Sequence, residues 1–73
     1  MALFRKLECR ALMLDGSRTS IALEPQFWMA ADKLSKAQSL TWQSWVANNL
    51  RKPDIAGSRA SVLRVAILEA AMG

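Results

Sequence analysis

The chain has 73 residues, with ten Lys and Arg against six Asp and Glu for a formal charge of +4, and 52% of its positions are hydrophobic, including three Trp and four Met. One cysteine and no histidine exclude an intrachain disulfide, leave a zinc site without its usual ligands and remove the commonest general base. This length allows one small domain, which buries only about 60% of its unfolded surface, so an apolar chain without either staple points to oligomerisation.

Residues 1–14 read in two ways. Ala2, Leu3, Leu7, Ala11 and Leu14 fit a helical stripe, whereas Leu12-Met13-Leu14 followed by Asp15-Gly16 fits a strand entering a two-residue hairpin turn, which is the preferred reading. Residues 1–16 are therefore an N-terminal arm or extra strand ahead of a domain spanning 17–73. Arg5, Lys6 and Arg10 offer either a basic arm for a phosphate backbone or a solvated face. The same charges, with Glu8, break any signal-peptide pattern, and no apolar run is long enough for a bilayer, so a soluble cytoplasmic protein without membrane partners is expected.

Arg18-Thr19-Ser20-Ile21-Ala22-Leu23 alternates with a period of two. Thr19, Ile21 and Leu23 point to one face and Arg18, Ser20 and Ala22 to the other. A lone strand leaves its backbone groups unpaired, so a partner strand is required, from this chain or from a second copy. Pro25 suits the first position of a helix, and Glu24 places negative charge at its positive end. That helix is expected over 25–37 with Phe27, Ala30, Ala31 and Leu34 buried, Trp28 and Met29 widening the stripe, and Asp32, Lys33 and Lys36 in water.

Thr41 is a suitable N-cap for a second helix over 42 to about 51, with the stripe Trp42, Trp45, Val46, Asn49 and Leu50. Arg51-Lys52-Pro53-Asp54 stops it, and Ile55-Ala56-Gly57 completes the connection. Ser58 or Ser61 caps a third helix to about 71, expected to be largely buried through Val62, Leu63, Ala66, Ile67 and Ala70, with Val65, Leu68 and Met72 spreading that face.

Enzymatic parts are missing. Glu8, Asp15, Glu24, Asp32, Asp54 and Glu69 are scattered, no Gly-rich phosphate loop occurs, and Cys9 lacks a His partner, so Cys9 is expected to be a small semi-buried hydrophobe. The chain is not read as an enzyme, and no cofactor or metal is expected. The tryptophans fit a core or dimer seam better than a base-stacking surface.

The run Arg18-Thr19-Ser20-Ile21-Ala22-Leu23-Glu24-Pro25-Gln26-Phe27-Trp28, with Ser39-Leu40-Thr41 opening the second helix, resembles the ribbon-helix-helix family of DNA-binding proteins. With the late Ala60-Ser61-Val62-Leu63-Arg64-Val65 helix it is similar to a compact bacterial subfamily carrying a third helix, a resemblance covering roughly 17–71. It implies a mostly α fold with a short β-ribbon: an intertwined homodimer in which strand 18–23 pairs antiparallel with its copy. The dimer core would hold Ile21, Leu23, Phe27, Leu34, Trp45, Val46 and Leu50. The ribbon would enter the major groove with Arg18, Ser20 and Ala22 at base edges, Arg being suited to guanine, Ser to either role and the Ala methyl to thymine. The start of the second helix would hold a phosphate through Thr41 and the backbone of Trp42 and Gln43. The chain departs from the family pattern at Gln38-Ser39, where members carry glycine, and at Ala22, which suggests modest specificity or cooperative binding to repeated sites.

The expected function is a sequence-specific double-stranded DNA-binding transcriptional regulator, of repressor or antitoxin type, acting as a homodimer or as a higher oligomer on DNA. The alternative is a homodimeric protein-interaction module that has lost DNA binding and meets another protein through its C-terminal helix and Trp-rich face. Fold alone does not choose between them.

Overall fold

The computed structural model describes residues 6–51 and 57–73. The expected stop and connection at 52–56, and Arg5 of the basic arm, lie outside them. Strands β1 (Glu8–Leu14) and β2 (Ser17–Leu23) form an antiparallel hairpin in continuous register from Glu8 opposite Leu23 to Leu14 opposite Ser17. Asp15 and Gly16 make the turn with φ of 51° and 86°, the doubly left-handed geometry whose twist matches that of the strands. The strand reading of the N-terminal segment holds, and it extends back to Glu8. This chain itself supplies one partner strand for β2.

The pleat sorts β2 as its alternation requires. Thr19, Ile21 and Leu23 are buried, Arg18 and Ser20 are exposed, and Ala22 is half-buried. Three helices, α1 (Pro25–Ala37), α2 (Trp42–Leu50) and α3 (Arg59–Met72), pack on the inner face of the hairpin. The core joins Leu12, Ile21 and Leu23 from the sheet to Trp28 and Ala31 of α1, Trp45, Val46 and Ala47 of α2, and Leu63 and Ile67 of α3. No helix among the described residues is long and apolar enough to cross a membrane.

Each helix boundary has a local cause. Pro25 opens α1 at its first turn, and the Phe27 N–H donates to the Glu24 carbonyl at 2.9 Å. At its end the Leu40 N–H donates to Ser35 O at 2.9 Å and the Ser39 N–H to Lys36 O at 3.0 Å, with Ser39 at φ 58°. This is a Schellman closure with serine in the left-handed position. The Thr41 and Ser58 hydroxyls cap α2 and α3 by accepting from the Ser44 and Ser61 N–H groups, each at 3.1 Å.

Two burial expectations are corrected. In α1 the buried residues are Trp28, Ala31 and Ser35, while Phe27, Ala30 and Leu34 are half-buried and Met29 is exposed. The face is rotated because the Trp28 indole reaches under β1. In α3 only Leu63 and Ile67 are buried, Ala70 is exposed, and Val65, Leu68 and Met72 expose 53%, 56% and 77% of their surface. One side of this helix meets the core and the opposite side meets water, although both are apolar.

Candidate nucleic-acid interface

The outward face of the hairpin is built by register. Directly opposed residues of an antiparallel pair share a face, so Arg18, Ser20 and Ala22 stand beside Met13, Ala11 and Cys9. The three proposed base-reading residues therefore form one outward row on β2. Among the described residues Arg18 has no acidic partner, whereas Arg10, Arg51 and Arg64 are each held by a carboxylate. Cys9 is exposed, not semi-buried as expected, because it lies on this outward row opposite Ala22.

The backbone of β2 has a free side. A two-residue turn makes Leu14 and Ser17 a hydrogen-bonded pair, and alternation then directs the N–H and C=O groups of Thr19, Ile21 and Leu23 to β1. Those of Arg18, Ser20 and Ala22 face the opposite edge, where no strand lies among the described residues. The residues whose side chains point outward thus offer their backbones to another strand.

β1 is clasped to the helices. The Arg10 guanidinium, on the inner face opposite Ile21, donates to both carboxylate oxygens of Asp32 at 2.8 and 3.1 Å. It lies 4.7 Å from the Trp28 ring centre and 5.0 Å from that of Trp42, and the two rings meet edge to face at 5.6 Å. The Trp28 Nε1–H donates to the Glu8 carbonyl at 2.6 Å. Hydrogen bonding from Arg10 holds the Asp32 carboxyl below the usual carboxylate range, and the same bond raises the Arg10 pKa. Arg10 is therefore not part of a basic arm; only Lys6 of that expected trio is exposed among the described residues. Its alternation with Cys9 and Ala11 was the available signal for this inward turn.

Two further ties fix the ends of the hairpin. Arg51 Nε donates to Asp15 at 3.0 Å, joining the turn to the end of α2. Arg64 Nε donates to Glu24 at 3.0 Å, joining α3 to the strand-to-helix junction. The Glu24 carboxyl is held below its ordinary range by its own backbone N–H and then by Arg64.

The second group of candidate residues lies at the head of α2. The Thr41 hydroxyl is engaged as the cap, the Trp42 ring is packed against Trp28, and Gln43 is exposed. The first intrahelical bond runs from Trp45 to the Thr41 carbonyl, so the Trp42 and Gln43 N–H groups have no acceptor among the described residues. Of the proposed dimer core, Ile21, Leu23, Trp45 and Val46 are buried within one chain, and Phe27, Leu34 and Leu50 pack half-buried at its margin.

No curated protein and no solved structure gives a significant match to the chain. A family model described as a ribbon-helix-helix domain matches residues 7–71, about ten residues further toward the N-terminus than the resemblance read over roughly 17–71.

Proposed function

The chain belongs to the ribbon-helix-helix domain family, and from that premise we propose that it is a transcriptional regulator that binds double-stranded DNA as a homodimer. Two β2 strands pair along their free edges, and the joined ribbon enters the major groove with Arg18, Ser20 and Ala22 toward the bases. The observation carrying this reading is the coincidence on β2 of an outward row bearing an arginine with a backbone edge on the same three residues, neither of which has a partner among the described residues. Arg18 reads guanine, Ser20 donates or accepts, and Ala22 contacts a thymine methyl. The unused N–H groups of Trp42 and Gln43 meet a phosphate at the positive end of α2. With so few polar readers per strand, repressor or antitoxin action uses repeated sites.

The test is a salt titration of duplex binding by wild type and Arg18→Ala, with the oligomeric state followed by sedimentation in the same buffer. A dimer whose affinity falls steeply with salt, and an Arg18→Ala dimer weaker by about 1–3 kcal/mol with relaxed sequence preference, are expected. Equal binding by the two proteins would sink Arg18 as a reader. One specific observation favours a second reading: Val65, Leu68 and Met72 form an exposed apolar stripe on α3 that suits a protein partner. A folded dimer with no affinity for DNA at low salt would move the function there.

A further inference from the structure

We infer that β1 is a second DNA-contacting strand, one that runs along the phosphate ridges on either side of the groove while β2 occupies it. This rests on the DNA-binding reading above and adds a role for residues that the reading does not use. β1 fills one edge of β2 along seven paired positions, so pairing through the other edge gives a sheet in the order β1-β2-β2-β1. At a strand spacing of about 4.8 Å the outer strand axes of that sheet lie about 14 Å apart. The major groove is about 12 Å wide and admits a ribbon of two strands.

Peeling β1 away to clear the groove is opposed by its fastening, since Leu12 is buried, Arg10 is held by Asp32 between two tryptophans, and Trp28 is bonded to the Glu8 carbonyl. The outer strands therefore rest on the groove walls. Their outward row fits that position. Cys9 and Ala11 are small, stand level with Ala22 and Ser20, and let the sheet settle, while Met13, level with Arg18, is exposed and flexible enough to lie along a sugar. No carboxylate stands on that row, and Glu8 is turned to the other face beside Arg10.

The backbone fits as well. The alternation that frees Arg18, Ser20 and Ala22 on the inner edge directs the N–H groups of Cys9, Ala11 and Met13 to the outer edge of β1. Among the described residues nothing accepts from them. A row of amide donors at a groove wall is a phosphate-positioning device independent of base sequence.

The experiment places one charge at Ala11, whose side chain points outward beside Ser20, and the same charge at Leu68 on α3, behind the sheet. Ala11→Lys is expected to tighten duplex binding several-fold and to steepen the log-log salt slope by up to about 2 per dimer, while Ala11→Glu weakens binding at least tenfold. Leu68→Lys and Leu68→Glu should change affinity far less, with all four variants dimeric by sedimentation. The gain with lysine separates contact from misfolding. Ala11 variants that merely track their Leu68 counterparts, in a protein that Arg18→Ala still weakens, would overturn this role for β1 alone. A wild type that does not bind duplex at low salt would overturn both it and the reading it rests on.

Discussion

Ser39 holds a backbone conformation that side chains disfavour. Its φ of 58° lies in the left-handed region, where a Cβ crowds the following carbonyl and glycine carries no such penalty. The Schellman bonds to Ser35 and Lys36 nevertheless close the helix, so the left-handed position that glycine fills without penalty is occupied by serine at an energetic disadvantage. Ser39→Gly is expected to raise stability by about 1 kcal/mol, read as a higher thermal midpoint. A lower midpoint would mean that the serine side chain contributes something its geometry does not reveal. Arg10 and Arg18 make a related point: strand parity sends one arginine inward to a carboxylate and the other outward, where none of the described residues supplies one.

Among the elements, β1 depends most on a polar clasp. Arg10→Met removes the bidentate bond to Asp32 and the cationic contact with both indoles while keeping an apolar stem, and should destabilise the protein by about 1–2 kcal/mol. Hydrogen exchange checks where the loss falls, since β1 amides should lose protection more than those of α3. The clasp also fixes an acid dependence. A carboxyl whose folded pKa is depressed adds stability above its unfolded pKa, and that stability disappears as pH falls through the folded value. Wild type should therefore lose more stability on acidification than Arg10→Met. Equal acid limbs in the two proteins would remove Asp32 from the account.

These elements differ in how plainly the residues announce them. Alternation over 18–23, Pro25 and the Thr41 and Ser58 caps are local signals, and the strand parity, helix starts and outward row follow from them. β1 was half-legible because Glu8 and Arg10 stand on the inner face, against the simple rule of apolar inside, and only the distant Asp32, Trp28 and Trp42 explain why. α3 is apolar on most sides, so its sequence could not select Leu63 and Ile67 as its buried pair. The free edge of β2 was legible only as an unmet need for a partner. That β1 meets half of this need depends on the register of the whole hairpin.

For the whole molecule, pairing of two chains along the free edge, as proposed, predicts a stability that depends on protein concentration, because association would draw the folded state forward by mass action. Ser20→Pro tests the edge directly. The Ser20 N–H faces away from β1, so proline there spares the hairpin ladder while removing a donor from the proposed dimer seam. The variant should sediment as a folded monomer whose thermal midpoint no longer rises with concentration; a Ser20→Pro dimer would place the seam elsewhere.

The Asp15-Gly16 turn also sets an order of events. It joins the two strands through the shortest loop a hairpin allows, whereas the Arg10–Asp32 and Glu24–Arg64 ties span 22 and 40 positions. Loop closure favours the nearer contacts, so β2 is expected to acquire its pleat and alternation from its own neighbour before the distant ties form, and before pairing with a second copy in the proposed dimer. In the proposed dimer, assembly would then join two strands already shaped. The entropy of ordering them would be lost during folding of each chain and would not be charged again against the affinity of that dimer.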